Sequence, residues 1–358
     1  VITVQATSRL HAPRITSGLK ILILKPSSLG DVIQALPVLR LLKQQLPASQ
    51  VHWWIDSALA PLLEEDPDLD AVVRFERRRW ASPVHWPEMV RSILALRAEK
   101  YDWVIDLQCL ARSGAFAWLA NGKLLIGLDE PREGARGFYD LVTSRGSFHT
   151  HAVDWYLAVL TRLGVPVHNG FTWLPERPAV AATIQARWKP VPARWIALQP
   201  GARWLNKRWP AENFADLTRR LAGERADVRF AVLGGKDDRM LAETVCRAAP
   251  DRCENLAGQT SLPEMVEWLR RCDLMVTNDT GPMHVAAALG KPVVGIFGPT
   301  EPRRTGPYRQ SAGLVQHSLP CVPCLKSRCA WRQPMECLTA ISPATVFDAV
   351  QRELRRID

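Results

Sequence analysis

No apolar run in the chain approaches the roughly 18 to 20 residues that a membrane-spanning helix needs, so no such helix is expected. The opening stretch, VITVQATSRLHAPRITSGLK, lacks the continuous apolar segment of a signal peptide. Neither a GxGxxG nor a Walker pattern occurs, so no dinucleotide or P-loop assignment follows. An aromatic RNA-binding signature and a recognition-helix pattern are also missing, which argues against a nucleic-acid partner. There is no short-period repeat, and no low-complexity segment beyond an N-terminal tail over 1–18. The eight cysteines do not form the dense framework of a small secreted scaffold: Cys109, Cys246, Cys253 and Cys272 are scattered through stretches that read as buried α/β structure. These absences lead to the expectation of a soluble or peripheral protein of the reducing cytoplasm.

At 358 residues the chain is long enough for two domains, and its 47% hydrophobic and 23% charged residues are ordinary for packed globular structure. Lys and Arg number 46 against 36 Asp and Glu, a net charge of +10 that favours anionic partners such as phosphates or acidic lipid headgroups. The Trp count of 14 is high; most should lie in cores or between domains, with a few left for lipid headgroups.

From Leu19 onward short β-rich apolar runs alternate with amphipathic stretches, the pattern of a parallel sheet wrapped by helices. In the first half, strands are predicted over Ile21–Leu24, Val51–Ile55, Ala71–Phe75, Trp103–Leu107 and Leu124–Gly127. Helical spacing links Val32, Leu36, Leu39 and Leu42, and again Met89, Ile93 and Leu96. Proline-rich sequence over 176–194 predicts an interdomain linker. In the second half, strands are predicted over Trp195–Gln199, Val228–Leu233, Leu274–Asn278 and Val293–Phe297. Helices are predicted near Asn213–Leu221, Leu262–Arg271 and His284–Leu289, and Ser342 with Pro343 reads as the N-cap and first turn of a final helix. The expected organisation is a first domain over 19–175, a second over 195–341, and a C-terminal helix over 342–358 that returns toward the first domain. Ligands of two such sheets bind beyond the carboxyl ends of the strands, in a cleft between the domains.

Four segments in those positions carry chemistry. KPSSLGDVIQALPVL follows the first strand, with Ser28 and Gly30 in a tight turn and Asp31 in the first helical turn. That carboxylate serves either as a helix-start cap or as a group facing the cleft. LQPGARWLNKRWPAENF opens the second half: Gly201 permits close backbone approach, and Arg203, Lys207 and Arg208 suit a diphosphate or simply solvent. VLGGKDD places Asp237 and Asp238 after the next strand, as ribose acceptors or as turn residues. The strongest is LMVTNDTGPMHVAAALGKPVVGIFGPTEP, where Asp279 and Thr280 end a strand, Gly281 and Pro282 open a helix, and His284 lies in its first turn. Unpaired amides there form an anion site.

These segments, with LAGQTSLPEMV, resemble in residues and order the ADP-heptose:lipopolysaccharide heptosyltransferases, inverting glycosyltransferases of the GT-B fold, over nearly the whole chain from about Leu19. REGARGFYDLV and HAVDWYL look more like the branch that adds the first heptose. The resemblance implies an α/β fold of two Rossmann-like domains around a deep cleft. It implies transfer of L-glycero-D-manno-heptose from ADP-heptose to a Kdo-bearing lipid A acceptor at the inner face of the cytoplasmic membrane. Asp31 matches the proposed general base, Lys207 the donor-phosphate lysine, and Asp279, Thr280, Gly281, Pro282 and His284 the donor-binding turn. Thr260, Ser261 and Leu262 match the stretch near the adenine. Neither role requires a metal or other cofactor. Ser28, Gly30, Arg77, Arg112, Arg132 and Arg136 are expected on the acceptor side, the arginines facing its phosphates and carboxylates.

Cys321, Cys324, Cys329 and Cys337 are spaced C-x2-C-x4-C-x7-C, compatible with tetrahedral zinc, with a cluster of structural thiols, or with disulfides formed only on oxidation. Two rival functions stay open at this stage. One keeps the fold and glycosylates a protein or another polysaccharide; the other is noncatalytic nucleotide or nucleic-acid binding.

Overall fold

The computed structural model describes residues 18–130 and 132–358, so the expected tail lies almost wholly outside it. The first unit runs β1 (Lys20–Leu24), α1 (Leu29–Gln45), β2 (Gln50–Asp56), β3 (Ala71–Phe75), α2 (Trp86–Ala98), β4 (Trp103–Asp106), α3 (Ala111–Ala120), β5 (Leu124–Leu128), β6 (Leu141–Thr143) and α4 (Ala152–Arg162). After α5 (Pro178–Trp188), the second unit begins with β7 (Arg194–Gln199), α6 (Ala211–Glu224), β8 (Val228–Val232), α7 (Arg239–Cys246), β9 (Cys253–Asn255) and α8 (Leu262–Arg271). It ends with β10 (Leu274–Asn278), α9 (Gly281–Ala288), β11 (Val293–Phe297), α10 (Pro302–Thr305), β12 (Leu314–Gln316), α11 (Glu336–Thr339) and α12 (Pro343–Arg355).

Each unit is a six-stranded parallel sheet, ordered β3-β2-β1-β4-β5-β6 in the first and β12-β11-β10-β7-β8-β9 in the second. Counted from its own first strand, each sheet has the same order, 3-2-1-4-5-6. The winding direction therefore reverses between β1 and β4, and between β7 and β10, and loops leaving the carboxyl ends of those pairs diverge to leave a crevice. Parallel strands covered on both faces must be apolar throughout, and β1 is: every residue of Ile21–Leu24 is buried. Ile21 and Ile23 face α1 and α4, whereas Leu22 and Leu24 face the cluster beneath α2 and α3.

α1 is the helix that joins the units. It is buried over Val32–Leu42 rather than along one stripe, because it is pressed between the first sheet and α9 of the second unit. One continuous apolar core thus runs from Ile21 and Leu36 through Met283 and Val285. Arg40 on α1 clamps the far side, bonding Asp66 through both terminal nitrogens at 2.6 Å and also donating to the Trp173 carbonyl oxygen. A buried guanidinium tolerates that position because its fork is fully paired.

Three features depart from the sequence reading. The segment expected as a linker holds α5, which packs on α8. The last helix does not return toward the first domain: α12 covers β10, β11 and β12, its Val346, Ala349, Val350 and Leu354 belong to the second unit's core, and Asp358 pairs with Arg194. Its amphipathic face finds the nearest uncovered apolar surface, which is its own sheet. The three-residue edge strands β6, β9 and β12 were not expected, since so few residues carry no periodic signal. Ser342 does cap α12, accepting from the Thr345 amide at 3.1 Å.

A cavity between the two sheets

A cavity of about 1030 Å³ lies where the two crevices face each other. Its first wall comes from the loops after β1 and β4, with Ser28, Gly30, Asp31 and Gln108; its second comes from the loops after β7, β8 and β10, with Gly201, Arg203, Lys207, Asp238 and the Asp279–His284 turn. Thr260, Ser261 and Leu262 close one end.

On the first wall, Asp31 does cap its own helix. Its Oδ2 accepts from the Ser28 amide at 3.0 Å and from the Ser28 hydroxyl at 2.6 Å. Burial would raise its pKa, but the Lys25 ammonium and the two Ser28 bonds outweigh that and hold the carboxyl below the usual carboxylate range. Lys25 is itself buried; its Nζ donates to the Leu107 carbonyl at 2.8 Å and stands 4.8 Å from the centre of the Tyr156 ring. Burial would depress its pKa, yet Tyr156 and Asp31 push it upward, so it stays an ammonium.

On the second wall, Lys207 Nζ contacts Asp279 Oδ2 at 2.6 Å, and the Thr300 hydroxyl donates to the same oxygen at 2.7 Å. The lysine also lies over the Trp204 ring, 4.7 Å from its centre. The loop carrying it is braced by Asn278, whose amide nitrogen donates to the Pro200 carbonyl oxygen and whose oxygen accepts from the Trp209 amide. Gly201 lets the Asp238 carboxylate pack directly on the backbone, since a Cβ there would stand 2.3 Å from it and push that side chain aside. Asp238 in turn accepts from the Gly235 amide at 3.0 Å. Ser261 and Glu264 form a reciprocal capping box that starts α8.

The walls meet at His284. Its imidazole is buried, packs on Gly30, and its Nδ1 lies 3.3 Å from the Gln34 amide nitrogen. Burial lowers its pKa to about 4 despite nearby Asp279 and Asp31, so the ring is neutral at physiological pH.

Not every expected residue lies here. Asp237 is exposed and outside the cavity wall, and Asp238 occupies the place assigned to it, because the short turn over Lys236–Asp238 points only the latter inward. Arg77, Arg112 and Arg136 are exposed and do not line the cavity; Arg136 pairs with Asp129 at 3.2 Å. The Arg132 side chain lies outside what the structure describes. The arginines that do line the cavity are Arg145, Arg203 and Arg304. Lys25, Gln34 and Tyr156 were missed because nothing in a strand-end lysine or a helical glutamine marks it in sequence. The four clustered Cys line a separate small cavity, where burial and the neighbouring thiols push Cys337 up to about 11. Among the described residues, no group of three or more Cys, His, Asp or Glu is placed to hold a metal ion.

Two facing parallel sheets with a polar cavity at their switch points have the architecture of a GT-B glycosyltransferase. The chain belongs to glycosyltransferase family 9 (heptosyltransferase), whose family model matches residues 89–334, and it is an enzyme of that class. It is 30% identical over 331 residues to lipopolysaccharide heptosyltransferase 1 of Pseudomonas aeruginosa, with 89% of each chain covered. A family 9 glycosyltransferase from Veillonella parvula superposes with a TM-score of 0.78 at 26% identity, covering 96% of this chain and 99% of that one. The E. coli heptosyltransferase WaaC with ADP-2-deoxy-2-fluoro heptose superposes with a TM-score of 0.72 at 24% identity, covering 95% of this chain and 100% of that one.

Proposed function

We propose that the protein transfers L-glycero-D-manno-heptose, with inversion, from ADP-heptose to a Kdo-bearing lipid A acceptor in lipopolysaccharide core synthesis. It would work in the cytoplasm, at the inner face of the membrane. The observation that carries the reading is one cavity lined on one wall by the Asp31 carboxylate beside Lys25 and on the other by the Lys207 ammonium beside Asp279 with the amides at the start of α9.

In this reading Asp31 is the general base. Ser28 occupies Oδ2, and Oδ1 takes the proton from the acceptor hydroxyl. The hydroxyl oxygen attacks the anomeric carbon as the bond from that carbon to the diphosphate oxygen breaks, and ADP leaves carrying the electron pair. Lys207, with the amides at the start of α9 around Thr280 and Gly281, neutralises the developing charge on the diphosphate. Asp279 holds Lys207 in position before the donor arrives. Asp238 is the ribose acceptor, and the Thr260–Leu262 stretch borders the adenine. Every step draws on protein side chains and amides.

The test is direct. Thermal-shift titration should show stabilisation by ADP and ADP-heptose well above that by UDP, GDP or CDP sugars. Incubation with ADP-heptose and a Kdo-lipid A acceptor should yield a heptosylated product by mass spectrometry. Donor hydrolysis or binding without transfer to that acceptor, alongside transfer to a protein or another polysaccharide, would replace the acceptor assignment.

A further inference from the structure

The outer flank of the first unit is not a normal surface for a water-soluble domain. α2 buries Leu96 and packs Met89 and Ile93 against the core beneath it, as an amphipathic helix should. About a quarter-turn round the helix from that stripe, where polar residues should begin, Trp86, Val90 and Leu94 recur at every fourth residue and are 52%, 49% and 58% exposed. Val84, in the turn just before the helix, is 80% exposed, and Trp118 on the adjoining α3 is 60% exposed. Scattered apolar side chains need no explanation, but five large ones on neighbouring elements do.

The charges among them are mostly positive. Arg77, Arg78 and Arg79 precede the turn, Arg91 and Arg97 lie on α2 and Arg112 on α3, all exposed. The single acid of α2, Glu88, is tied to Arg79 at 2.6 Å and to His85 at 3.3 Å. A second copy of the chain would bring the same arginines to this face and be repelled. A surface of anionic headgroups over an apolar interior complements both features at once: guanidinium groups pair with phosphates while Trp, Val and Leu enter the headgroup boundary.

Topology gives the surface its direction. α2 and α3 follow β3 and β4, so each begins at the carboxyl edge of the sheet, where the cavity also opens. The run from Arg77 to Trp86, exposed apart from the buried Trp80 and half-buried His85, therefore stands at the same edge as Ser28 and Gln108.

We infer that the Val84–Leu94 face with Trp118 is a docking surface for an anionic lipid bilayer, seating the first unit at the headgroups with the cavity mouth toward them. The inference deepens the glycolipid-acceptor reading and rests on it for its purpose. It also gives Arg77 and Arg112, which stand outside the cavity, a partner in lipid phosphate.

Co-sedimentation tests it. The intact chain should bind vesicles of phosphatidylethanolamine containing about one-third phosphatidylglycerol, bind pure phosphatidylcholine much less, and lose binding as salt rises. The double variant Val90→Glu/Leu94→Glu should partition on the order of tenfold less onto the anionic vesicles. Because those side chains are exposed, its thermal midpoint should match the parent; Trp86→Gln/Leu94→Gln, a gentler pair, should show the same direction. Equal partitioning of parent and variants, absence of vesicle binding, or a parent dimer that the variants dissolve would each overturn the inference. A soluble, de-acylated acceptor separates the two readings. Variants that still glycosylate it at the parent's rate, yet work poorly on acceptor embedded in vesicles, support docking. If the parent binds vesicles but uses neither acceptor, the glycolipid reading fails and the docking surface stands.

Discussion

A Cβ on Gly30 would stand 2.3 Å from Cδ2 and 2.9 Å from Nε2 of His284, so the first turns of α1 and α9 meet with no room for another carbon. The contact is reciprocated, since a Cβ on Gly281 would come within 2.9 Å of the Leu29 side chain. α1, which carries Asp31, and α9, which carries His284, are thus held at a fixed separation by two glycines. Gly30→Ala should cost about 1–3 kcal/mol of stability, as overpacking does. It should also lower turnover on the order of tenfold or more, because the reacting groups are moved apart. Thermal unfolding and steady-state kinetics check this; an unchanged midpoint and kcat would mean the helices separate at no cost.

His284 sets an acid limit on stability. Its folded pKa of about 4 lies below an unfolded value of about 6.5. Above the unfolded value both states are neutral and nothing is lost. As pH falls from there toward the folded value, the unfolded chain takes up the proton first, and stability declines. Between about pH 7 and about pH 5 the loss from this group should be roughly 2 kcal/mol. His284→Gln should therefore show a smaller fall in melting temperature over that interval than the parent protein, measured by differential scanning fluorimetry at both pH values.

Lys25 should govern the acid limb of the rate profile. Ser28, Tyr156 and His284 surround Asp31, but Lys25 is the cation that most lowers its pKa. Removing the charge in Lys25→Met leaves burial to dominate and raises the Asp31 pKa. Because a general base works only when deprotonated, the acid limb of kcat/KM should shift to higher pH. A limb that stays in place would detach Lys25 from the base.

Much of this was legible in the sequence. All nine predicted strands are present to within one residue at each end, because parallel strands covered on both faces, as most of these are, are written as apolar runs. Strand ends followed by Gly and Asp marked both walls, and so Asp31, Gly201, Lys207 and the Asp279–His284 turn were found before the cavity was seen. Arg145 and Arg304 were not, since an arginine reads the same in sequence whether it faces a cavity or solvent. The docking of α12 was misjudged because its apolar stripe says that it must be covered, not by which sheet. The helix α5 was hidden by the prolines on either side of it.

Lys207→Ala should weaken ADP binding by about tenfold or more and slow transfer further, with Asp279 left buried beside Thr300 without its cation. Lys207→Arg should rescue only part, because a planar guanidinium does not reproduce a point charge over Trp204. Isothermal titration with ADP and single-turnover rates give the two effects separately; unchanged affinity and rate would leave Lys207 a structural partner of Asp279.

The proposed role of Asp31, removal of the acceptor proton during heptose transfer, is isolated by Asp31→Asn. The variant keeps a polar side chain at the start of α1 but cannot act as a base. Single-turnover transfer from ADP-heptose to Kdo-lipid A, followed by mass spectrometry, should fall on the order of 100-fold or more while ADP affinity stays near that of the parent. Transfer at near-parental rate, whatever the affinity, would mean that Asp31 is not the base.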